Sequence, residues 1–163
     1  MTLPSRPTPT RIKGDYTFIY VECDFDDGTP VMVGQITEAT GGQEEAIDEW
    51  RTVGSGILRE SSDTKYPVSL TILVPEDPAE AAHLIGIEDP APWVGTEQLK
   101  IDPTVKIQYT FEDYDSAENL LATEYWDDVT WDKLDRTTSA TGQKTWKLTG
   151  EAADVYTMVP ASA

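Results

Sequence analysis

The run VKIQYTFE, Val105 to Glu112, alternates apolar and polar residues without a break. Successive side chains of an extended strand point to opposite faces, so this pattern describes a strand with one face buried. Val105, Ile107, Tyr109 and Phe111 face a core. Lys106, Gln108, Thr110 and Glu112 face water or a partner, with Glu112 and Asp113 expected near enough to offset Lys106. One such strand cannot fold alone, so the rest of the chain must supply a sheet.

It does so in several places. YTFIYVEC, 16–23, carries aromatic and β-branched residues on both alternating faces, the pattern of a strand covered on both sides. DFDDGTP is turn chemistry and VMVGQIT returns from it, which predicts a hairpin. In YPVSLTILV, Val68, Leu70, Ile72 and Val74 share a face. LLATEYWDDVTW and KTWKLTGEA continue in the same manner across a turn-rich link, DRTTSATGQ, and VYTMV, 155–159, can close the sheet. Between the strands, EDPAEAAHLIG predicts one short helix. Asp77 caps it, Pro78 takes its first position, Glu80 completes a capping box and Gly86 stops it. The fold class that follows is mainly β (α+β): a β-sandwich or curled barrel with one short helix.

Two segments do not join this scheme. Residues 1–11 hold Pro4, Pro7 and Pro9 among Ser, Thr and Arg, and read as an extended N-terminal arm, leaving 12–163 as a single β domain. The stretch 40–66 is polar, with glycines at 41, 42, 54 and 56. It reads as a long loop, part of which can protrude as a hairpin around Trp50, Ile57 and Leu58. Directly after Gly41-Gly42, Glu44, Glu45, Asp48 and Glu49 surround only Ala46 and Ile47.

The charge is the next constraint. Thirty acids against 12 bases leave a net charge of −18, which opposes duplex binding through phosphate neutralisation. The acids spread from Glu22 to Asp135, as a solvated surface suited to high salt would have them; a surface that repels a passing polyanion is the other reading. The single cysteine, Cys23, excludes an internal disulfide. With no apolar leader and no run of transmembrane length, the sequence reads as an intracellular product, or one released by lysis.

Chemical motifs are missing. There is no P-loop, no dinucleotide fingerprint and no nucleophile elbow. DFDDG fails as a calcium loop, because Cys23 and Phe25 fall where oxygen ligands belong. His83, inside the predicted helix, has no second His or Cys for a metal site, and a Cys23–His83 dyad lacks an orienting group. The sequence predicts no enzyme, no cofactor and no metal. Five tryptophans, Trp50, Trp93, Trp126, Trp131 and Trp146, could stack on sugars in a carbohydrate-binding module, although Trp131 and Trp146 fit the buried alternation of their strands.

The order of these features carries a resemblance. IKGDYTFIYV, then VGQITEATGGQEEAID, then YPVSLTILV, a helix, and a closing WKLTGEA resemble the major tail tube proteins of long-tailed, siphovirus-like phages and archaeal tailed viruses. The matching elements are Lys13-Gly14-Asp15, Gly34-Gln35, Glu45-Ala46-Ile47-Asp48 and Trp146 to Ala152, over about residues 12–155. The chain departs from the family in the acidity of the segment after Gly34-Gln35, which we read as adaptation to a salt-rich host. The resemblance implies a structural virion protein in the tail, assembled in the host cytoplasm. Six subunits form a ring, rings stack into a tube, and genome DNA passes through the lumen without specific binding. Implied partners are the chain itself and the tape-measure, terminator and baseplate proteins, with no membrane. A tail terminator or tube cap, or a capsid-decoration module, is the alternative. On this reading the acidic segment contacts an adjacent subunit or ring, with Gly41, Gly42, Glu44, Glu45, Asp48, Trp50 and Arg51 as interface residues.

Overall fold

The computed structural model describes residues 17–23, 28, 30–33, 36–52, 56–74, 82–86 and 100–160, with the backbone alone at 33, 50–52, 57 and 58. The proposed arm, 1–11, and the predicted helix start at Asp77 to Glu80 lie outside these residues.

Nine strands form among the described residues. They are β1 (Thr17–Cys23), β2 (Val31–Val33), β3 (Ile36–Gly41), β4 (Glu44–Thr52), β5 (Gly56–Leu73), β6 (Ile107–Tyr114), β7 (Leu120–Thr138), β8 (Lys144–Ala152) and β9 (Asp154–Met158). They join in the order β2-β1-β6-β7-β8-β5-β3, with β4 added to β5 and β9 to β7. Every pairing is antiparallel. Among the described residues the chain is mostly β with one short helical turn, and the sheet curls so that its two halves enclose one core. We call β2-β1-β6-β7-β9 the first half and β7-β8-β5-β3 the second.

β7 makes the curl possible by serving both halves. Residues up to Val129 pair with β6 and β9, and those from Thr130 pair with β8. The register slips between the Tyr109–Trp126 and Ile107–Val129 pairs. Asp128 takes φ 49° there, a left-handed conformation that aspartate tolerates better than most residues. Where β8 passes the bend, Gly150 is required: a Cβ at that position would lie 2.1 Å from the Thr130 carbonyl oxygen.

The core follows the alternation. Ile107, Tyr109 and Phe111 of β6 are buried, as are Val68, Leu70 and Ile72 of β5 and Trp146 and Leu148 of β8. Each fully buried large side chain contributes about 1.5–3 kcal/mol. Trp126 and Trp131 fill the centre. Tyr109 solves the polar problem there: its hydroxyl donates to the Leu84 carbonyl at 2.5 Å and accepts from Trp131 Nε1 at 3.0 Å. Burial pushes its phenol pKa far up. The helical turn at 82–84 packs Leu84 and Ile85 into this core and ends at Gly86, φ +84°, as the spacing predicts.

Four expectations change. VMVGQIT is not one strand: β2, ending at Val33, pairs β1 in the first half, whereas β3, beginning at Ile36, pairs β5 in the second. Among the described residues β1 is covered on one side only: Val21 and Cys23 enter the core, whereas Phe18, on the outward face of the sheet, is 46% exposed. β7 runs through Asp135-Arg136-Thr137-Thr138, since β8 stays paired with it, and the link shrinks to 139–143. Glu112 cannot offset Lys106, because six extended residues hold them about 20 Å apart; Asp113 instead accepts from Thr17 Oγ1 at 2.6 Å.

Candidate assembly surfaces

The stretch expected as a long loop is a two-stranded ribbon. β4 pairs with the outer part of β5 from Glu44↔Lys65 to Thr52↔Gly56. It forms because the polar sequence is rich in hydroxyls and places opposite charges across from one another, Glu44 against Lys65 and Glu49 against Arg59. Arg59 Nε reaches Glu49 Oε1 at 3.0 Å. Glu45 accepts from Ser61, from Gln43 Nε2 at 2.8 Å and from Thr64 Oγ1 at 2.8 Å. Those bonds, Ser61 first, hold its pKa below the ordinary glutamate value. Asp48 opposes Glu60, a like-charge pair that works against the ribbon. Described side chains from Glu44 to Glu49 and Arg59 to Lys65 are exposed, Ile47 among them.

The interface residues named from sequence therefore separate. Glu44, Glu45 and Asp48 stand on the ribbon, and the side chains of Trp50 and Arg51 lie outside the described ones. Gly41 and Gly42 sit at its root. Gly41 leaves room for the Trp126 indole, 2.8 Å from where a Cβ would be, and Gly42 N donates to the Pro67 carbonyl at 2.9 Å. These two glycines have work inside the subunit.

The outward faces of the two sheet halves differ. On the second half, Thr130, Thr137, Thr145, Thr149, Thr71 and Thr40 share a polar face. Its two lysines share one acid, Lys147 lying opposite Asp135 and Lys133 Nζ 3.6 Å from Asp135 Oδ2, and Glu38 and Glu151 bring further negative charge to the same face. On the first half, aromatics and acids share the outward face. Phe18 packs edge-on against Tyr114 at 5.6 Å, and Tyr125 stacks on Tyr156 at 5.1 Å. Tyr114 donates to Glu112. Burial, with Asp154 and Asp128 nearby, raises the Asp127 carboxyl against a bond from Tyr156 that lowers it. Sequence reasoning missed this face, which only cross-strand register assembles.

Among the described residues, no catalytic constellation comes with these surfaces. The fold brings Cys23 and His83 together, but Cys23 Sγ donates to the His83 carbonyl at 3.5 Å and the imidazole approaches the Val21 carbonyl at 3.4 Å. Among the described residues, no group of three or more His, Cys, Asp or Glu could hold a metal ion. Trp126, Trp131 and Trp146 are buried, which removes them as sugar-stacking platforms.

No protein-family model and no curated protein matches the sequence. Solved structures match by shape. A chain of the anti-feeding prophage tube-terminating cap is similar with a TM-score of 0.64 and 14% identity, over 96% of this chain and 97% of that one. A chain of the SPP1 tail tube is similar at 0.62 and 8% identity, over 93% and 81%. A chain of the sheath–tube complex of the PVC extracellular contractile injection system is similar at 0.61 and 15%, over 92% and 93%. The fold is a tail-tube fold. Within it, the ribbon is an extension of β5 beyond the part paired with β8, and the two outward faces are the broad surfaces of the curled sheet.

Proposed function

We propose that this chain is a structural subunit of a viral tail tube, which self-associates into rings of six that stack into a conduit for genome DNA. The observation that carries the reading is the tail-tube fold, shared over more than nine-tenths of this chain with tube and tube-cap structures. Two features support it. The threonine face of the second sheet half suits the channel wall, since its lysines, set among acids, offer DNA no basic stripe on which to stall. The ribbon, exposed on both sides, suits a contact with the next subunit or ring, with Glu44, Glu45, Asp48, Trp50 and Arg51 at the junction. Tape-measure, terminator and baseplate proteins are the further partners, and the virion tail is the location.

A tube cap or terminator is the second reading, favoured by the similarity to the anti-feeding prophage cap. Negative-stain microscopy of the purified protein separates the two. Long tubes of uniform diameter are expected; single rings that never stack favour the terminator, and a monomer at every concentration overturns both. The acidity is proposed as adaptation to a salt-rich host. Melting temperature should climb with KCl from about 0.1 to about 3 M, and a flat curve removes that part.

A further inference from the structure

Seven of the eight large hydrophobic side chains exposed among the described residues lie on or beside the first sheet half. Phe18, Met32, Tyr156 and Met158 share its outward face. Exposed apolar area concentrated in this way marks a surface that is covered in the working state. The same face carries Glu22, Glu112, Asp127 and Asp154. Its strands contribute no lysine or arginine to it, and Lys106 stands just outside, before β6. The occupant must therefore be extended enough to lie on a flat sheet, apolar enough to cover tyrosines and methionines, and positively charged.

This chain contains a segment of that chemistry. Residues 1–14 hold Arg6, Arg11 and Lys13 and no acid, in a protein of net charge −18. Three prolines, Pro4, Pro7 and Pro9, favour the extended polyproline conformation that docks on aromatic surfaces at low entropic cost. The segment joins the sheet at Thr17, beside the Phe18–Tyr114 pair. At about 3.1 Å per residue, fourteen residues reach roughly 43 Å. Five strands span about 19 Å. Reach is therefore sufficient to cross the face.

We propose that residues 1–14 seat on the outward face of β2-β1-β6-β7-β9, with prolines on the tyrosines and Arg6, Arg11 and Lys13 against its carboxylates. This goes beyond the tube reading and stands apart from it. The test uses the full chain with a benzoylphenylalanine photo-crosslinker in place of Ser5, and mass spectrometry of the adducts. Adducts on peptides of β1, β2, β6 or β9 are expected, Met32 and Met158 being reactive neighbours. The triple variant Glu112→Gln, Asp127→Asn, Asp154→Asn should cut their yield about fivefold at low salt, with circular dichroism unchanged. Adducts on the ribbon or the threonine face, no adducts, or a yield indifferent to the triple variant overturn the proposal. Tubes seen by microscopy without these adducts sink this inference alone; adducts without tubes or rings sink the tube reading alone.

Discussion

The strand β5 lives in two environments. From Tyr66 to Leu73 it has β3 and β8 as neighbours and buries Val68, Leu70 and Ile72. From Gly56 to Lys65 it pairs, among the described residues, with β4 alone, and its described side chains are exposed. The inner part is held by apolar area removed from water. Cross-strand hydrogen bonds and surface ion pairs, each worth little net, hold the outer part. A two-stranded ribbon is marginal in water by itself, so its order derives from the sheet at its root. The contrast teaches that one strand can carry a core-forming stretch and a solvent-facing stretch end to end.

The largest expected effect is Leu70→Ala, which should cost about 2–5 kcal/mol in urea denaturation. The matching ribbon change, Ile47→Ala, should stay within about 0.5 kcal/mol; equal losses would break the comparison. Next is Tyr109→Phe, which takes a donor from the Leu84 carbonyl and an acceptor from Trp131 Nε1, at about 1–3 kcal/mol. A neutral result would mean that water satisfies both groups.

Deleting Gln43–Ser62, which keeps the Gly42–Pro67 hydrogen bond, should shift stability by less than about 1 kcal/mol, because Gly41 pairs with Val68 and a short connection rejoins them. Stacking should be lost. Tubes from this variant, seen by microscopy, would refute a role for the ribbon in assembly.

The smallest effect is in pH, and its sign differs between regions. Glu45 on the ribbon has a lowered pKa, so its contribution is full above pH 4.5 and lost as pH falls through the depressed value. Asp127 on the first sheet half has a raised pKa, so the folded state prefers its proton. That residue destabilises above its folded pKa and relieves the protein as pH falls toward 3.8. Hydrogen exchange from pH 6 to about 3.5 should show the ribbon opening before the β7–β9 pair. The reverse order would contradict both assignments.

Much of the fold was legible in the chain itself. Residues 105–111, 68–72 and 146–148 declared their buried faces by alternation, and Gly86 declared the end of the helix. The ribbon was half legible: glycines at 41, 42 and 56 bracket it, yet polar residues on both faces leave no periodicity to read. The aromatic-and-acid face was illegible, because Tyr20, Tyr114, Tyr125 and Tyr156 meet only through register.

By itself, then, the sequence determined which residues leave water and where the chain turns, since side-chain polarity and backbone preference are local. Pairing was decided by the tertiary structure: β1 lies against β6, with Thr17 opposite Asp113, and VMVGQIT divides between two sheet halves. Alternation states that a face is buried and is silent about what buries it. That choice belongs to contacts between residues far apart in the chain, such as Gly150 yielding space to the Thr130 carbonyl and Gly41 to the Trp126 indole.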